Sequence, residues 1–281
     1  MSSREILADL RALGASSLKE WRIARRYPHE YVSLVFWPLV MPGVFLLQAT
    51  GFGAGEPRAL GAFAARAGTG EVAGFLYLGG IMYLWISILL WGPGTALRRE
   101  QERGSLEALF LTPASRLVLL FGPAPASLIP TVWVFVVVML TLRFGFGLPV
   151  RPEELLRAAA VVLLAIPALF GTSALFSAAV VRFREIRAGV LMARGLCQLV
   201  CGIAFPVAVL PGWAQALAYA LPPTYVLADL RAVLLTGARL SDLGPSLAVL
   251  AAMAALACVA GAAAFGRTVA AARRTGSLGQ F

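Results

Sequence analysis

Residues 72–97 read VAGFLYLGGIMYLWISILLWGPGTAL, an unbroken stretch without one charged side chain. A helix needs roughly 20 apolar residues to cross a hydrocarbon core of about 30 Å, and this run exceeds that length. It shows no period-two alternation, so a helix rather than a barrel strand would satisfy its backbone inside lipid. Five more uncharged runs repeat the pattern at 31–55, 117–142, 158–181, 195–228 and 243–266. The chain is 59% hydrophobic and 14% charged, with a mean hydropathy of +0.81. Soluble domains carry about a quarter charged residues, so a soluble fold is excluded. The predicted fold class is an all-α integral membrane protein with six transmembrane helices.

The net charge of +10 points to lipid rather than nucleic acid because of where the charges fall. Basic residues concentrate at 4–26, 98–116, 182–194 and 267–274, whereas the alternate connections hold only Arg58, Arg66, Arg143, Arg151, Arg157, Arg231 and Arg239. This is the positive-inside asymmetry, and it predicts a multi-pass protein of the cell membrane with both termini cytoplasmic. No cleavable signal peptide is expected, since the first apolar run begins near Tyr31 and continues at spanning length. In residues 4–27, Ile6, Leu7, Leu10, Leu13, Leu18 and Trp21 recur at helical spacing while arginines occupy the remaining circumference. That predicts an amphipathic interface helix over residues 1–29, followed by a six-span domain over 30–281.

Several chemistries find no support in the residues. The three cysteines, Cys197, Cys201 and Cys258, lie in apolar segments without zinc-type spacing, and no metal site is expected. His29, the one histidine, stands beside the interface helix. Mid-span carboxylates, usual in ion-coupled carriers, are not seen in the six runs. The only lysine, Lys19, does not sit in a phosphate-binding loop, so the chain itself holds no ATP cofactor.

Prolines punctuate the spans. Pro38, Pro42, Pro123, Pro125 and Pro130, with Gly92-Pro93-Gly94, predict bent or irregularly starting helices. The run at 195–228 is too long for one crossing. Pro211-Gly212 is expected to break its helix, and two short helices separated by Pro222-Pro223 then end at Gly237. This predicts a re-entrant outer hairpin over about 211–237, with Trp213, Tyr219, Pro222, Pro223 and Tyr225 as an outer gate. Gln48, Phe75, Tyr83, Gln198 and Phe205 are the candidate lining of a translocation path, suited to an amphipathic cargo.

Between the second and third runs lies RREQERGSLEALFLTPASR, residues 98–116. Gly104 ends one helix, Ser105 caps the next, and Glu107 sits in the first turn, where the helix dipole favours an anion. Leu106, Leu109 and Phe110 share one face. Thr112-Pro113 then start the following span. The predicted product, about 104–112, is a two-turn cytoplasmic helix whose apolar face fits a protein groove.

The run EQERGSLEALFLTPASR resembles the coupling region of the type-2 ATP-binding-cassette (ABC) exporter permeases, in which E-(K/R)-G-T-L-E-x-L-x-x-T-P-x-x-R is familiar. Ser105 stands for the usual threonine and keeps the capping hydroxyl. The tract from Phe183 to Gly237, with its LPPTY run, is similar to that family's fifth span and outer hairpin, and WRIARRYP to its interface helix. The resemblance implies a permease subunit of an ATP-driven exporter, paired with a second, identical or homologous permease and two cytosolic ATPase subunits that hold ATP and Mg. It further implies that Glu100, Glu102, Gly104, Leu106, Glu107, Leu109 and Phe110 meet the ATPase, with Arg184 and Glu185 as a smaller contact. Implied cargo is a drug, a lipid or a lipid-linked glycan. An ion-driven carrier or channel and a non-transporting membrane scaffold stand as alternatives.

Overall fold

In the computed structural model, residues 57–95, 124–148, 151–180 and 186–275 are described continuously, together with scattered positions between 11 and 51. Every regular element among them is helical. The described positions from Arg11 to Arg26 are helical, with Leu18 and Trp21 exposed. Helices α1 (Pro57–Ala67), α2 (Val72–Trp91), α3 (Ala124–Leu140), α4 (Pro152–Val180), α5 (Ile186–Val200), α6 (Gly212–Tyr219), α7 (Pro222–Thr236) and α8 (Gly244–Thr275) follow in order. Three of them, α2, α4 and α8, are long and apolar enough to cross a membrane.

Burial ranks these three. The apolar window of α2 is 67% buried, that of α4 44% and that of α8 22%. Hence α2 is the central rod, α4 a wall, and α8 the least covered of the three. Helix α7 packs against α2, α4 and α8, while α5 lies on α2. Tyr77, Met82, Leu142, Leu227 and Leu250 form the deepest part of the core. Tyr77 also donates its hydroxyl to the Pro38 carbonyl at 3.3 Å, fastening the 36–40 helical segment to α2.

Lipid tails are as apolar as leucine, so helices in membranes associate by close packing and hydrogen bonds rather than by hydrophobic burial. The most extensive helix pair, α4 with α8, illustrates this. A Cβ on Gly171 would lie 2.6 Å from the Cys258 nitrogen and 2.7 Å from the Ala257 carbonyl carbon. Only a bare Cα admits α8 so near. The Cys258 thiol adds a weak bond to the Pro167 carbonyl at 3.4 Å.

Where a helix is interrupted, another helix supplies the missing donor. Pro93 has no N–H to offer the Leu89 carbonyl one turn earlier. Ser173 of α4 donates its hydroxyl to that oxygen at 3.1 Å in a buried position. At the other end of the bundle, Glu154 accepts the Arg151 backbone N–H at 2.9 Å, which starts α4 six residues before the uncharged run begins. Arg157 pairs with Glu153 and reaches the carbonyls of Gly237 and Ala238 just beyond α7.

Ser173→Ala removes a donor and leaves the Leu89 oxygen without a partner. It is expected to cost about 1–3 kcal/mol, read as a lower thermal midpoint in detergent. Gly171→Leu, which forces α4 and α8 apart, is expected to lower that midpoint further.

Candidate functional site

The site is built where α5 stops. Cys201 still donates to the Cys197 carbonyl at 2.9 Å, but Gly202 turns into the left-handed region at φ +78°. Side-chain-bearing residues rarely adopt that conformation, so glycine ends the helix here. The chain continues through bends, a proline and a single 3-10 turn (Val207–Val209) before α6 begins. The break falls about ten residues earlier than Pro211-Gly212 suggests. At 15 residues α5 spans roughly 22 Å, short of a full crossing.

A buried break of this kind strands carbonyls, and Arg231 of α7 answers them. Its Nη1 donates to the Gly202 carbonyl at 2.6 Å. Its Nη2 donates to the Phe75 carbonyl of α2 at 2.7 Å and to the Ile203 carbonyl at 3.2 Å. The guanidinium carbon lies 3.3 Å from the centre of the Phe75 ring, where the ring's negative face stabilises a cation. A planar five-donor fork suits this task, and a lysine ammonium would not. The approach depends on Gly79, because a Cβ there would collide with the Ile203 carbonyl and lie 2.9 Å from Arg231 Nη2. One side chain therefore ties α2, the break and α7 together.

Among the described residues the charge has no counter-ion at salt-bridge distance. Arg231 is 9% exposed, its Nε has no partner, and among the described residues no carboxylate is bridged to it. Asp229, two residues earlier and so on a different side of α7, is 2% exposed and leaves Oδ2 unpartnered. A cleft of about 380 Å³ opens over the arginine, with Phe75, Cys201, Gly202, Val207, Tyr219 and Arg66 among its walls. Tyr219 and Tyr225 stack obliquely with ring centres 6.1 Å apart, and Thr224 donates to the Ala218 carbonyl at 2.6 Å, closing the α6–α7 turn.

Three apolar helices long enough to cross a membrane surround an interrupted helix and a buried arginine, and comparison with known proteins says what such a bundle belongs to. Residues 13–235 match the family described as ABC-2 type transporter. The chain belongs to that family. No curated protein matches it. Membership makes this ABC-2 chain a multi-pass permease of an ABC transporter, a class that works with ABC ATPase partners.

In this permease the expected site residues are not gathered in one place. Phe75 and Tyr219 share the cleft, and Tyr225 leans on Tyr219. Tyr83, half-buried on α2, carries the Arg194 guanidinium 4.6 Å above its ring, so Arg194 is held in the bundle. Phe205 is half-buried within the break. Gln198 and Trp213 are exposed on the outside of the subunit, apart from the cleft, and Pro222 and Pro223 are buried in the first turn of α7. Gln48, Glu100, Glu102, Gly104, Leu106, Glu107, Leu109, Phe110, Arg184 and Glu185 lie outside the described residues.

Arg231 was placed by sequence among the charges of the outer connections, and Asp229 was passed over. The structure buries both. The signal was present: in PPTYVLADLRAVLLTG two ionisable residues interrupt an otherwise apolar helix, which in a membrane protein marks a specific partner or a functional site.

Arg231→Gln removes the donor to the Gly202 and Ile203 carbonyls released by the break, each costing about 1–3 kcal/mol when buried without a partner. The variant is expected to purify poorly or melt well below wild type, with Arg231→Lys only partly restoring it. Gly79→Ala, by overpacking the same point, is expected to cost about 1–3 kcal/mol in the same melting assay.

Proposed function

We propose that the chain is the permease subunit of an ATP-driven ABC exporter in the cell membrane. It has six spans, both termini in the cytoplasm, and works as a pair with an identical or homologous permease on two ATPase subunits that bind ATP and Mg. The single observation carrying this reading is the family match, which runs through the 98–116 stretch. Support for the orientation comes from the basic residues, which crowd the segments assigned to the inside.

In this reading the helix over about 104–112 is the coupling element. Leu106, Leu109 and Phe110 dock into the ATPase, and Glu100, Glu102 and Glu107 orient the contact, with Arg184 and Glu185 adding a smaller one. Nucleotide-driven closure of the ATPases moves this helix and, through it, α2. Helices α6 and α7 form the outer hairpin, dipping into the outer leaflet, with the Tyr219–Tyr225 pair at its turn. An amphipathic cargo, whether drug, lipid or lipid-linked glycan, leaves past this hairpin.

Leu106→Asp and Phe110→Asp are expected to abolish copurification with the ATPase, or its cargo-stimulated hydrolysis, while leaving the melting of the permease alone unchanged. Wild-type hydrolysis by both variants in lipid nanodiscs would remove the coupling role.

One observation favours the ion-driven alternative. Asp229 is a buried carboxylate with an unpartnered oxygen, the kind of group that proton or sodium carriers use. Asp229→Asn decides between the two. Under the exporter reading, ATP-dependent cargo export survives the substitution and needs no ion gradient. Gradient-driven flux that vanishes in the variant would favour the carrier.

A further inference from the structure

The cleft over Arg231 has features that neither the family nor the coupling reading accounts for. Its floor is a guanidinium about nine-tenths buried, with an unpartnered Nε and no bridged carboxylate among the described residues. A second arginine, Arg66 at the end of α1, stands at the rim, exposed, and among the described residues its one contact is a long 3.4 Å bond to the Ala62 carbonyl of its own helix. The walls between them are largely apolar, supplied by Pro206, Val207 and Leu227. At about 380 Å³ the space falls within the range of roughly 300–1,000 Å³ usual for small-molecule sites.

Three carbonyl dipoles and an aromatic face stabilise the Arg231 cation, but dipoles do not neutralise a unit charge, and among the described residues no carboxylate is paired with it. A charge removed from water is stabilised most by an opposite charge nearby. Two arginines on one cleft with apolar walls describe a receptor for a head that is anionic and a body that is not. We propose that this cleft binds an oxyanion, phosphate or carboxylate, as carried on the headgroup of an anionic amphipath. Arg66 captures the anion at the rim, and the field of Arg231 holds it at the floor. Its position at the outer leaflet rests on the orientation proposed above, whereas the binding itself requires no ATPase, so the two ideas fail separately.

The test uses the full chain purified in neutral detergent. Phosphatidylglycerol and phosphatidylcholine of equal chain length are titrated in turn by native mass spectrometry, with inorganic phosphate as competitor. Since Arg231 variants lose the lock as well as the charge, Arg66→Gln carries the test, with its melting midpoint as a control for folding. Phosphatidylglycerol is expected to bind at least about tenfold more tightly than phosphatidylcholine, and Arg66→Gln to weaken it about tenfold at an unchanged midpoint. Competition by phosphate would show the free anion suffices, and no competition would show that the lipid is required; both uphold the site. Equal affinity for the two lipids, or undiminished phosphatidylglycerol binding by Arg66→Gln, overturns it.

Discussion

A buried backbone carbonyl has no water to turn to, and the Arg231 guanidinium resolves that problem where α5 ends. Helix α5 stops at Val200, and the released oxygens of Gly202 and Ile203 need donors. Arg231 provides them and takes the Phe75 carbonyl as well. The break, the position of α7 and the depth of the cleft all follow from where that one side chain can reach. Gly79 is the complement on α2, since any larger residue would hold the arginine away.

The same device recurs with other chemistry. Pro93 leaves the Leu89 oxygen free, and the Ser173 hydroxyl fills the vacancy from α4. Arg157 reaches the carbonyls of Gly237 and Ala238 that follow α7. These three interruptions are therefore also cross-links between helices, because the group that satisfies each comes from a neighbour. In a membrane, where apolar burial does not drive helices together, these cross-links and the glycine contact of α4 with α8 carry the association.

Physical chemistry explains which parts were legible in the sequence. Membrane residence and helical class follow from apolar run length alone, and α2, α4 and α8 lie on three of the runs. Turns dictated by a residue's own covalent constraints were legible too: α7 begins at Pro222 and is followed by a left-handed Gly237. The end of α5 was not, because Gly202 is one glycine among many in the apolar runs, and the carbonyl freed by its turn is satisfied by an arginine 29 residues further along. For the same reason Arg231 read as an outer loop charge, and nothing in the pattern around Phe75 signalled the cation over its ring. Local patterns specify elements; partners distant in sequence specify where an element in lipid is allowed to break.

Helix α2 connects these ideas to function. Near its start, Phe75 and Gly79 meet Arg231; near its end, Leu89 is held by Ser173 and the chain turns through Pro93 toward the 98–116 stretch. Fourteen residues separate Phe75 from Leu89, a span of about 21 Å along the axis. A rod transmits displacement only when both ends are gripped, and α2 is gripped at both and is the most buried of the three long spans. On the proposed reading, a push delivered at the coupling stretch therefore arrives at the Arg231 contacts rather than dissipating within the bundle. A ligand in the cleft shifts that movement only to the extent that it binds the two positions of α2 unequally. An anion beside the guanidinium meets this condition, since it contacts the side chain whose grip on α2 is altered when α2 moves.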